Sequence, residues 1–162
     1  MHKALSDFSH LDAHNNPAMV DVSEKALTRR VARARSIVVL PDVVMQHLQQ
    51  GEIQTKKGPV FQTAILAGTM GAKKTADLIP LCHPLGLDSC KINIEAVGNE
   101  VHIECTCALT ARTGVEMEAL TGASIAALTI YDMCKALSPN IVIRETRLLE
   151  KTGGKKDFLA AV

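Results

Sequence analysis

The chain has 162 residues, a length that suits one domain with a buried core. Apolar residues make up 47% of it but aromatic residues only 2%, so small and aliphatic side chains must form the core, and burial between subunits would add stability. A formal net charge of +1 and the near absence of base-stacking aromatics exclude a general nucleic-acid binder.

The N-terminal segment and the cysteines indicate a cytoplasmic protein. Residues 1–20 are polar and predict a flexible arm, followed by a single domain at residues 21–158 with a flexible C-terminal end. The arm lacks the apolar region of a signal peptide, and no apolar run reaches the length of a membrane span, so no membrane partner is expected. Five cysteines, an odd number, indicate free thiols in a reducing compartment.

The first predicted elements are a strand, a short helix and a turn. Alternating and β-branched residues predict a strand at residues 28–40, with a helix as the competing interpretation. A short helix is expected at residues 42–50, with Asp42 as its N-cap and Gly51 just past its end. Residues 53–58 are expected to form a polar turn.

A second helix is predicted at residues 60–75, where apolar side chains recur at helical spacing. Lys73 and Lys74 fall in its last turn, where cations suit the helix dipole. The prolines that flank residues 81–83 exclude a helix interior there, so Leu81-Cys82-His83 is expected to form a loop.

A hairpin and a last strand complete the predicted sheet. Residues 90–97 and 101–108 are expected to pair around a turn at Gly98-Asn99, and residues 141–151 form the final strand. Antiparallel strands with segregated helices indicate an α+β fold. The Gly-Gly-Lys-Lys segment at residues 153–156 is read as a solvated tail; closure of a Lys-rich tail over an anionic substrate stays open.

Between the hairpin and the last strand, residues 113–135 predict one long helix with two apolar sides. One row, spaced by three and four residues, is apolar and mostly small: Leu120, Ala123, Ala127, Ile130, Cys134 and Leu137. The opposite row has an apolar middle and charged ends: Glu118, Thr121, Ile125, Leu128, Asp132 and Lys135. We expect both sides of this helix to be covered, which would make its charged groups buried.

Two interpretations of the Asp132 and Lys135 pair remain open at this point. An exposed pair one turn apart contributes only about 0.2–0.5 kcal/mol to helix stability. Burial would instead mark the pair as functional, because perturbed ionisable groups cluster at functional sites. Glu118 lies about 21 Å from Asp132 along a straight helix. One small substrate cannot reach both on one copy, so either subunits share a site or the two ends serve different sites.

Cys105 and Cys107 place two thiols on one strand face. With Cys82 and His83 they could form a zinc site, although the usual CxxC spacing is missing. Core packing of small buried thiols is the alternative.

Lys57 and His83 are candidates for anion binding. Lys57 precedes Gly58-Pro59 on a constrained turn before a helix N-terminus, which itself favours anions. A loop histidine such as His83 suits catalysis or phosphate binding. Alone, a lysine of this kind is most often solvated at the surface.

Three long motifs carry a specific resemblance. Residues 74–84 (KTADLIPLCHP), 113–121 (TGVEMEALT) and 128–135 (LTIYDMCK) closely resemble the MoaC family, the cyclic pyranopterin monophosphate synthases of molybdenum cofactor biosynthesis. Residues 19–22 and 148–154 match as well. The resemblance extends from about Ser9 to Phe158, nearly the whole chain.

The resemblance implies a lyase with a ferredoxin-like α+β fold. Its substrate would be (8S)-3′,8-cyclo-7,8-dihydroguanosine 5′-triphosphate, rearranged to cyclic pyranopterin monophosphate with release of pyrophosphate. The family assembles as a hexamer, a trimer of dimers, with sites at dimer interfaces. No metal ligand and no redox cofactor are expected; Mg²⁺ could accompany the triphosphate.

The resemblance also assigns roles to residues of this chain. Asp132 and Lys135 would be catalytic, with Asp132 orienting Lys135 and nearby cations lowering the pKa of the lysine. The implied substrate-binding residues are Leu81, Cys82, His83, Met117, Glu118, Lys57 and Lys151, with Glu116 and Lys73 as lesser candidates.

Two other functions stay open on the sequence. One is a module that binds a nucleotide triphosphate without catalysis. The other is a purely structural assembly domain, which predicts that Lys57, His83 and Lys135 are dispersed by more than a substrate's length.

Overall fold

The computed structural model describes residues 9–161 and has the predicted α+β architecture. Its helices are α1 (Asp42–Met45), α2 (Val60–Lys73), α3 (Thr75–Leu78) and α4 (Glu116–Cys134). Its strands are β1 (Thr28–Val39), β2 (Leu48–Gln49), β3 (Glu52–Thr55), β4 (Gly58–Pro59), β5 (Ser89–Val97), β6 (Glu100–Ala111), β7 (Val142–Thr152) and β8 (Phe158–Leu159). No helix in this part of the chain is long and apolar enough to cross a membrane.

The main sheet is antiparallel with the strand order β5-β6-β1-β7-β8. Its four long strands and the helices α2 and α4 follow the β-α-β-β-α-β order of ferredoxin-like folds, as the resemblance implied. The strands β2, β3 and β4 form a second, small sheet before α2.

Strand β1 lies at the centre of the sheet, and its side chains alternate between the two faces. Ala32 and Ala34 are fully buried towards the helices. Arg33 and Arg35 alternate with them on the opposite face, where they pair with glutamates of the neighbouring strands β6 and β7. This period of two confirms the strand and excludes the competing helix.

Helices α2 and α4 cover one face of the sheet and approach each other closely at glycines. A Cβ atom added at Gly68 would stand 2.7 Å from the backbone oxygen of Gly122 and 3.1 Å from the Cβ atom of Ala126. A Cβ atom at Gly122 would stand 2.6 Å from the Sγ atom of Cys105. Because these positions carry small side chains, α2, α4 and β6 approach one another closely enough for backbone atoms to be in contact.

The two predicted rows of α4 have different environments. The row of small residues is buried against the sheet over most of its length, with Ala123, Ala127 and Ile130 fully buried. The opposite row is buried at Glu118 but open further along, where Leu128 is 54% exposed. The expectation that both ends of this row are buried is therefore wrong for Asp132 and Lys135, since both side chains are more than half exposed.

The segment between β1 and α2 differs from its prediction. The first helix ends at Met45 instead of Gln50, because the chain turns at Gln50 and Gly51, both with positive φ, to pair β2 with β3. Asp42 is the first helical residue and Pro41 the N-cap. Residues 53–58 form most of a hairpin, β3–β4, with the turn confined to its tip.

The C-terminal segment also folds back onto the sheet. The strand at residues 142–152 is not the last, since β8 pairs with β7 and Ala160 is 7% exposed. Gly153, where φ is +86°, begins the loop that joins β7 to β8, so the Gly-Gly-Lys-Lys segment connects two strands and is not a tail, although residues 154–156 are exposed. At the other end of the chain, Leu11 bridges Pro17, while residues 1–8 of the predicted arm lie outside the described residues.

We expect Gly68→Ala to lower the free energy of unfolding by about 1–2 kcal/mol. Overpacking costs about 1–3 kcal/mol, and a contact of 2.7 Å with a backbone oxygen belongs to the upper half of that range, from which the better helix propensity of alanine subtracts about 1 kcal/mol. Urea denaturation at fixed protein concentration measures the change. Gly86→Ala is the matched control, because its added methyl group meets no atom within 4 Å. A Gly68→Ala protein as stable as this control would contradict the packing argument.

Candidate active site

The residues predicted for the site fall into two groups near opposite ends of α4. The Asp132 cluster consists of Lys57, Asp132 and Lys135. The other group lines a cavity of about 440 Å³ near the N-terminal end of α4, called here the arginine-lysine cavity. Its lining includes the predicted residues Leu81, Cys82, His83, Glu116, Met117, Glu118 and Lys151.

The Asp132 cluster is a pair of ion pairs that share one carboxylate. Lys135 Nζ lies 2.7 Å from Asp132 Oδ1, and Lys57 Nζ lies 2.9 Å from Oδ2. Lys57 also donates to the backbone oxygen of Asp132 at 3.4 Å. All three side chains are more than half exposed, so the cluster can meet a ligand or another chain.

The β3–β4 hairpin brings Lys57 to the end of α4. The backbone N–H of Lys57 donates to Thr55 Oγ1, and the Thr55 hydroxyl donates to the backbone oxygen of Gly58. Gly58 has a φ of +111°, which other residues rarely adopt. Glu52 joins this hairpin to α2, because its carboxylate accepts hydrogen bonds from the first-turn N–H groups of Phe61 and Gln62.

Electrostatics fix the charge states of the Asp132 cluster. Lys135, and after it Lys57, lowers the pKa of Asp132 to about 2 by hydrogen bonding to the carboxylate. The same contact with Asp132 raises the pKa of Lys135 above the ordinary lysine value. The expectation that neighbouring cations lower the pKa of Lys135 is therefore wrong, because its nearest charge is an anion. At neutral pH the cluster holds the Asp132 carboxylate and the Lys135 ammonium, and contact with Asp132 makes this ammonium hold its proton more tightly than an ordinary lysine does.

In the arginine-lysine cavity, the loop after α3 meets the start of α4. His83 Nε2 lies 2.7 Å from the backbone oxygen of Val20, which holds the ring against the N-terminal segment. Lys151 Nζ on β7 lies 3.0 Å from Glu116 Oε1 in the first turn of α4. Both contacts join segments distant in sequence, so the cavity exists only in the folded chain.

Glu118 is the buried acid of this cavity. It is 4% exposed, and burial raises the pKa of its carboxyl group above the ordinary value. Burial also raises the pKa of the Cys82 thiol, with a smaller contribution from the charge of Glu118. Glu118 and Cys82 are thus both shifted towards their neutral forms, in contrast to Asp132.

The cavity contains four cations that the sequence analysis did not assign to a site. Five Lys or Arg residues line it against two glutamates, and the four unassigned are Lys25, Arg30, Arg112 and Lys155. The buried Nε of Arg30 has no hydrogen-bond partner among residues 9–161. Lys155 belongs to the Lys-rich segment at residues 153–156, and its place in the cavity lining agrees with the alternative that this segment closes over an anionic substrate. Arg29 and Arg30 are consecutive residues of β1, so their side chains lie on opposite faces of the sheet. This alternation is the sequence signal that could have identified Arg30.

Lys73 lies apart from both groups. It lines a smaller cavity of about 90 Å³ together with Lys74, Asp77, Pro84 and Glu118. Glu118 lines both cavities, whereas Lys73 does not line the arginine-lysine cavity.

Within one chain, the two groups are too far apart for one substrate. Fourteen residues of regular helix separate Glu118 from Asp132, which corresponds to about 21 Å. Lys57 and Lys135 therefore lie in the same cluster, whereas His83 lies in the other group, near the opposite end of α4. A single chain fits either a site completed by another subunit or the structural alternative.

The thiols are grouped differently from the predicted zinc set. Cys105 and Cys107 meet Cys90 of the neighbouring strand, whereas Cys82 and His83 line the arginine-lysine cavity. The predicted combination with Cys82 and His83 is therefore wrong. The hairpin turn at Gly98-Asn99 already implied the pairing of Cys90 with Cys107, and this register was the overlooked signal.

The chain is similar in sequence to proteins of one family over most of its length. A sequence model of the MoaC family matches residues 19–154. The chain is 53% identical over 154 residues to a cyclic pyranopterin monophosphate synthase of Xanthomonas axonopodis pv. citri, an alignment that covers 94% of this chain and 93% of that protein. It is 52% identical over 155 residues to a protein of the same name from Lysinibacillus sphaericus, covering 93% and 96% of the two chains.

A further relative is longer than this chain. The molybdenum cofactor biosynthesis bifunctional protein of Synechocystis sp. is 53% identical over 155 residues, and the alignment spans 45% of its length. The three motifs, the ferredoxin-like topology and these alignments agree over most of the sequence. The chain belongs to the MoaC family.

Proposed function

We propose that this chain is a cyclic pyranopterin monophosphate synthase. It converts (8S)-3′,8-cyclo-7,8-dihydroguanosine 5′-triphosphate to cyclic pyranopterin monophosphate and pyrophosphate, as a lyase of molybdenum cofactor biosynthesis. The observation that carries the proposal is the arginine-lysine cavity, where five Lys or Arg side chains face two glutamates in a family of pterin-forming enzymes.

The arginine-lysine cavity suits a triphosphate. Arg30, Arg112 and Lys151 supply fixed positive charge, and the unpaired Nε of Arg30 is a buried donor without an acceptor. Positive charge stabilises the pyrophosphate as it departs. His83 adds a ring nitrogen at the same wall.

The Asp132 cluster suits proton transfer. Ring opening and pterin closure both require protons to move between carbon, nitrogen and oxygen atoms of the substrate. Lys135 begins as an ammonium held by Asp132, so it acts first as a proton donor. A substrate group that displaces Asp132 would lower the pKa of Lys135 and so favour release of its proton, and renewed contact with Asp132 would favour the proton's return.

The complete site then requires two chains. The Asp132 cluster of one subunit faces the arginine-lysine cavity of another, which removes the separation of about 21 Å within one chain. Leu66, Met70 and Leu128 on the helix layer are 67%, 59% and 54% exposed, and such apolar side chains favour self-association. We assign the chain to a hexamer, a trimer of dimers with sites at dimer interfaces.

The proposed reaction exchanges no electrons with a cofactor, so no redox group is required. Mg²⁺ could accompany the triphosphate, bound by phosphate oxygens. A cytoplasmic location agrees with the five free cysteines.

Lys135→Ala and Asp132→Ala are each expected to lower turnover by about 100-fold to 10,000-fold, because they remove the proposed donor or the group that orients it. Product formation and pyrophosphate release from the cyclic nucleotide measure the effect, with circular dichroism and size-exclusion chromatography as checks of fold and assembly. Lys91→Ala, an exposed lysine of β5, is the control. Binding of the nucleotide by the wild type without pyrophosphate release would instead support a non-catalytic module.

Mixed oligomers test whether subunits share the site. Co-expressed Asp132→Ala and His83→Ala chains, each inactive alone, are expected to regain about a quarter of wild-type turnover per chain. Half of randomly formed dimers contain both chains, and one of their two sites has neither substitution. Mixed oligomers as inactive as the single variants would show that the two groups do not form one site across the interface.

Glu118→Gln is expected to change the pH dependence of stability. Burial raises the pKa of Glu118 in the folded chain, so folding favours the protonated acid. As pH rises from the ordinary pKa to the raised one, the wild type should lose stability relative to the variant by at most about 1.4 kcal/mol per pH unit. Urea denaturation of both proteins between pH 4 and 8 measures this, and a constant difference would contradict it.

A further inference from the structure

Three cysteines that the proposed reaction does not use meet beneath the helices. Cys90 lies on β5 and is paired in register with Cys107 of β6, and Cys105 lies two residues away on the same face. Their Sγ atoms form a triangle with edges of 3.8, 3.9 and 4.0 Å. Among residues 9–161, no further cysteine, histidine or carboxylate joins this group.

We propose that this thiol triangle is a binding site for zinc. Tetrahedral zinc with a Zn–S distance of about 2.3 Å holds its sulfur ligands about 3.8 Å apart, which is close to the edges of this triangle. The three side chains therefore need little movement to supply three of the four ligands of tetrahedral zinc. Sulfur ligands also select soft ions such as zinc over Mg²⁺.

An open cavity next to Cys90 provides access and a fourth ligand. Cys90 lines a cavity of about 380 Å³ together with Thr69, Lys73 and Ser89. Water from this cavity can complete the coordination of the metal. Zinc with three thiolates carries a net charge of −1, and Lys73 supplies a cation at the same wall.

The surrounding packing gives the metal a structural role. Cys105 and Cys107 are fully buried, and Gly122 of α4 leaves the space that the sulfur of Cys105 occupies. Strand β5 is the edge of the sheet, held in the sheet by β6 on one side only. Zinc would tie this edge strand to its neighbour beneath α4 and stabilise the folded chain.

Ordinary core packing is the competing explanation, because cysteine is often buried. The other thiols of the chain provide the comparison. Cys134 is also fully buried, yet it belongs to no group of three potential metal ligands within the described residues. A preference for small apolar side chains explains Cys134 but does not require three sulfurs at nearly equal mutual distances.

Metal binding releases protons from the thiols. Hydrogen bonds from Cys105 and Cys107 lower the pKa of Cys90, whereas the pKa of Cys107 is raised by its contacts with Cys105 and then Cys90. Three Zn–S bonds form, and the protons of the thiols that are still protonated pass to solvent. No oxidation or reduction occurs, and the apparent affinity rises with pH.

Metal titration of the full chain tests the proposal. Reduced, metal-free protein is titrated with zinc against a chromophoric chelator, and with Co²⁺ under anaerobic conditions. We expect one ion per chain, a zinc Kd of about 1 μM or lower, and sulfur-to-cobalt charge-transfer absorption. Zinc should also raise the thermal unfolding midpoint.

Cys90→Ala and Cys134→Ala form the matched pair of variants. Cys90 is half-buried, so its loss is tolerated more readily than that of Cys105, and we expect zinc affinity to fall by about 100-fold or more. Cys134→Ala removes a sulfur outside the triangle and should bind zinc like the wild type. Equal zinc affinity of the two variants would overturn the proposal.

X-ray absorption at the zinc edge of the wild type does not depend on how the variants fold. Three sulfur atoms at about 2.3 Å and one oxygen would support the site. A first shell of nitrogen and oxygen, as adventitious binding to surface histidines and carboxylates gives, would overturn it, as would the absence of stoichiometric binding. Neither result measures turnover, so these experiments test the zinc site independently of the proposed activity.

Discussion

The contact between α4 and the sheet determines where every proposed functional group lies. Small side chains along one row of this helix, such as Ala123 and Ala127, let it lie within backbone contact of its neighbours. A close-packed helix cannot bend to bring its ends together, so the length of α4 separates Glu118 from Asp132. The rigidity of one element therefore becomes the reason why two chains are needed for one proposed site.

The two ends of α4 place their acids in opposite environments. Asp132 stands in solvent between two lysines, which keep it ionised. Glu118 is buried near the other end, and burial shifts it towards the neutral acid. Solvent screens the Asp132 cluster, so its ion pairs contribute little to stability and remain free to exchange partners with a charged substrate. Ionisation of the buried Glu118 carboxyl costs free energy of folding, so its protonation state couples stability to pH.

A core nearly without aromatic residues has consequences beyond packing. Glycine, alanine and cysteine fill the space where α2, α4 and β6 meet, and each brings backbone or sulfur atoms close together. Such a core buries little apolar area per residue, and in our proposals further stability comes from subunit contacts and from a metal between strands. We attribute both the exposed leucines of the helix layer and the thiol triangle to this scarcity of aromatic residues in the core.

Local pattern determined the long elements: the alternation of β1, the hairpin of β5 and β6, and the spacing of α2 and α4 all appear as expected. The motifs of residues 74–84, 113–121 and 128–135 likewise determined the family. Short elements were predicted poorly, because positive φ at Gln50 and Gly51 and pairing with distant strands override local propensity. Only the tertiary structure brought Arg30, Arg112 and Lys155 to one cavity and left Asp132 exposed, because contacts between segments far apart in sequence decide burial and charge.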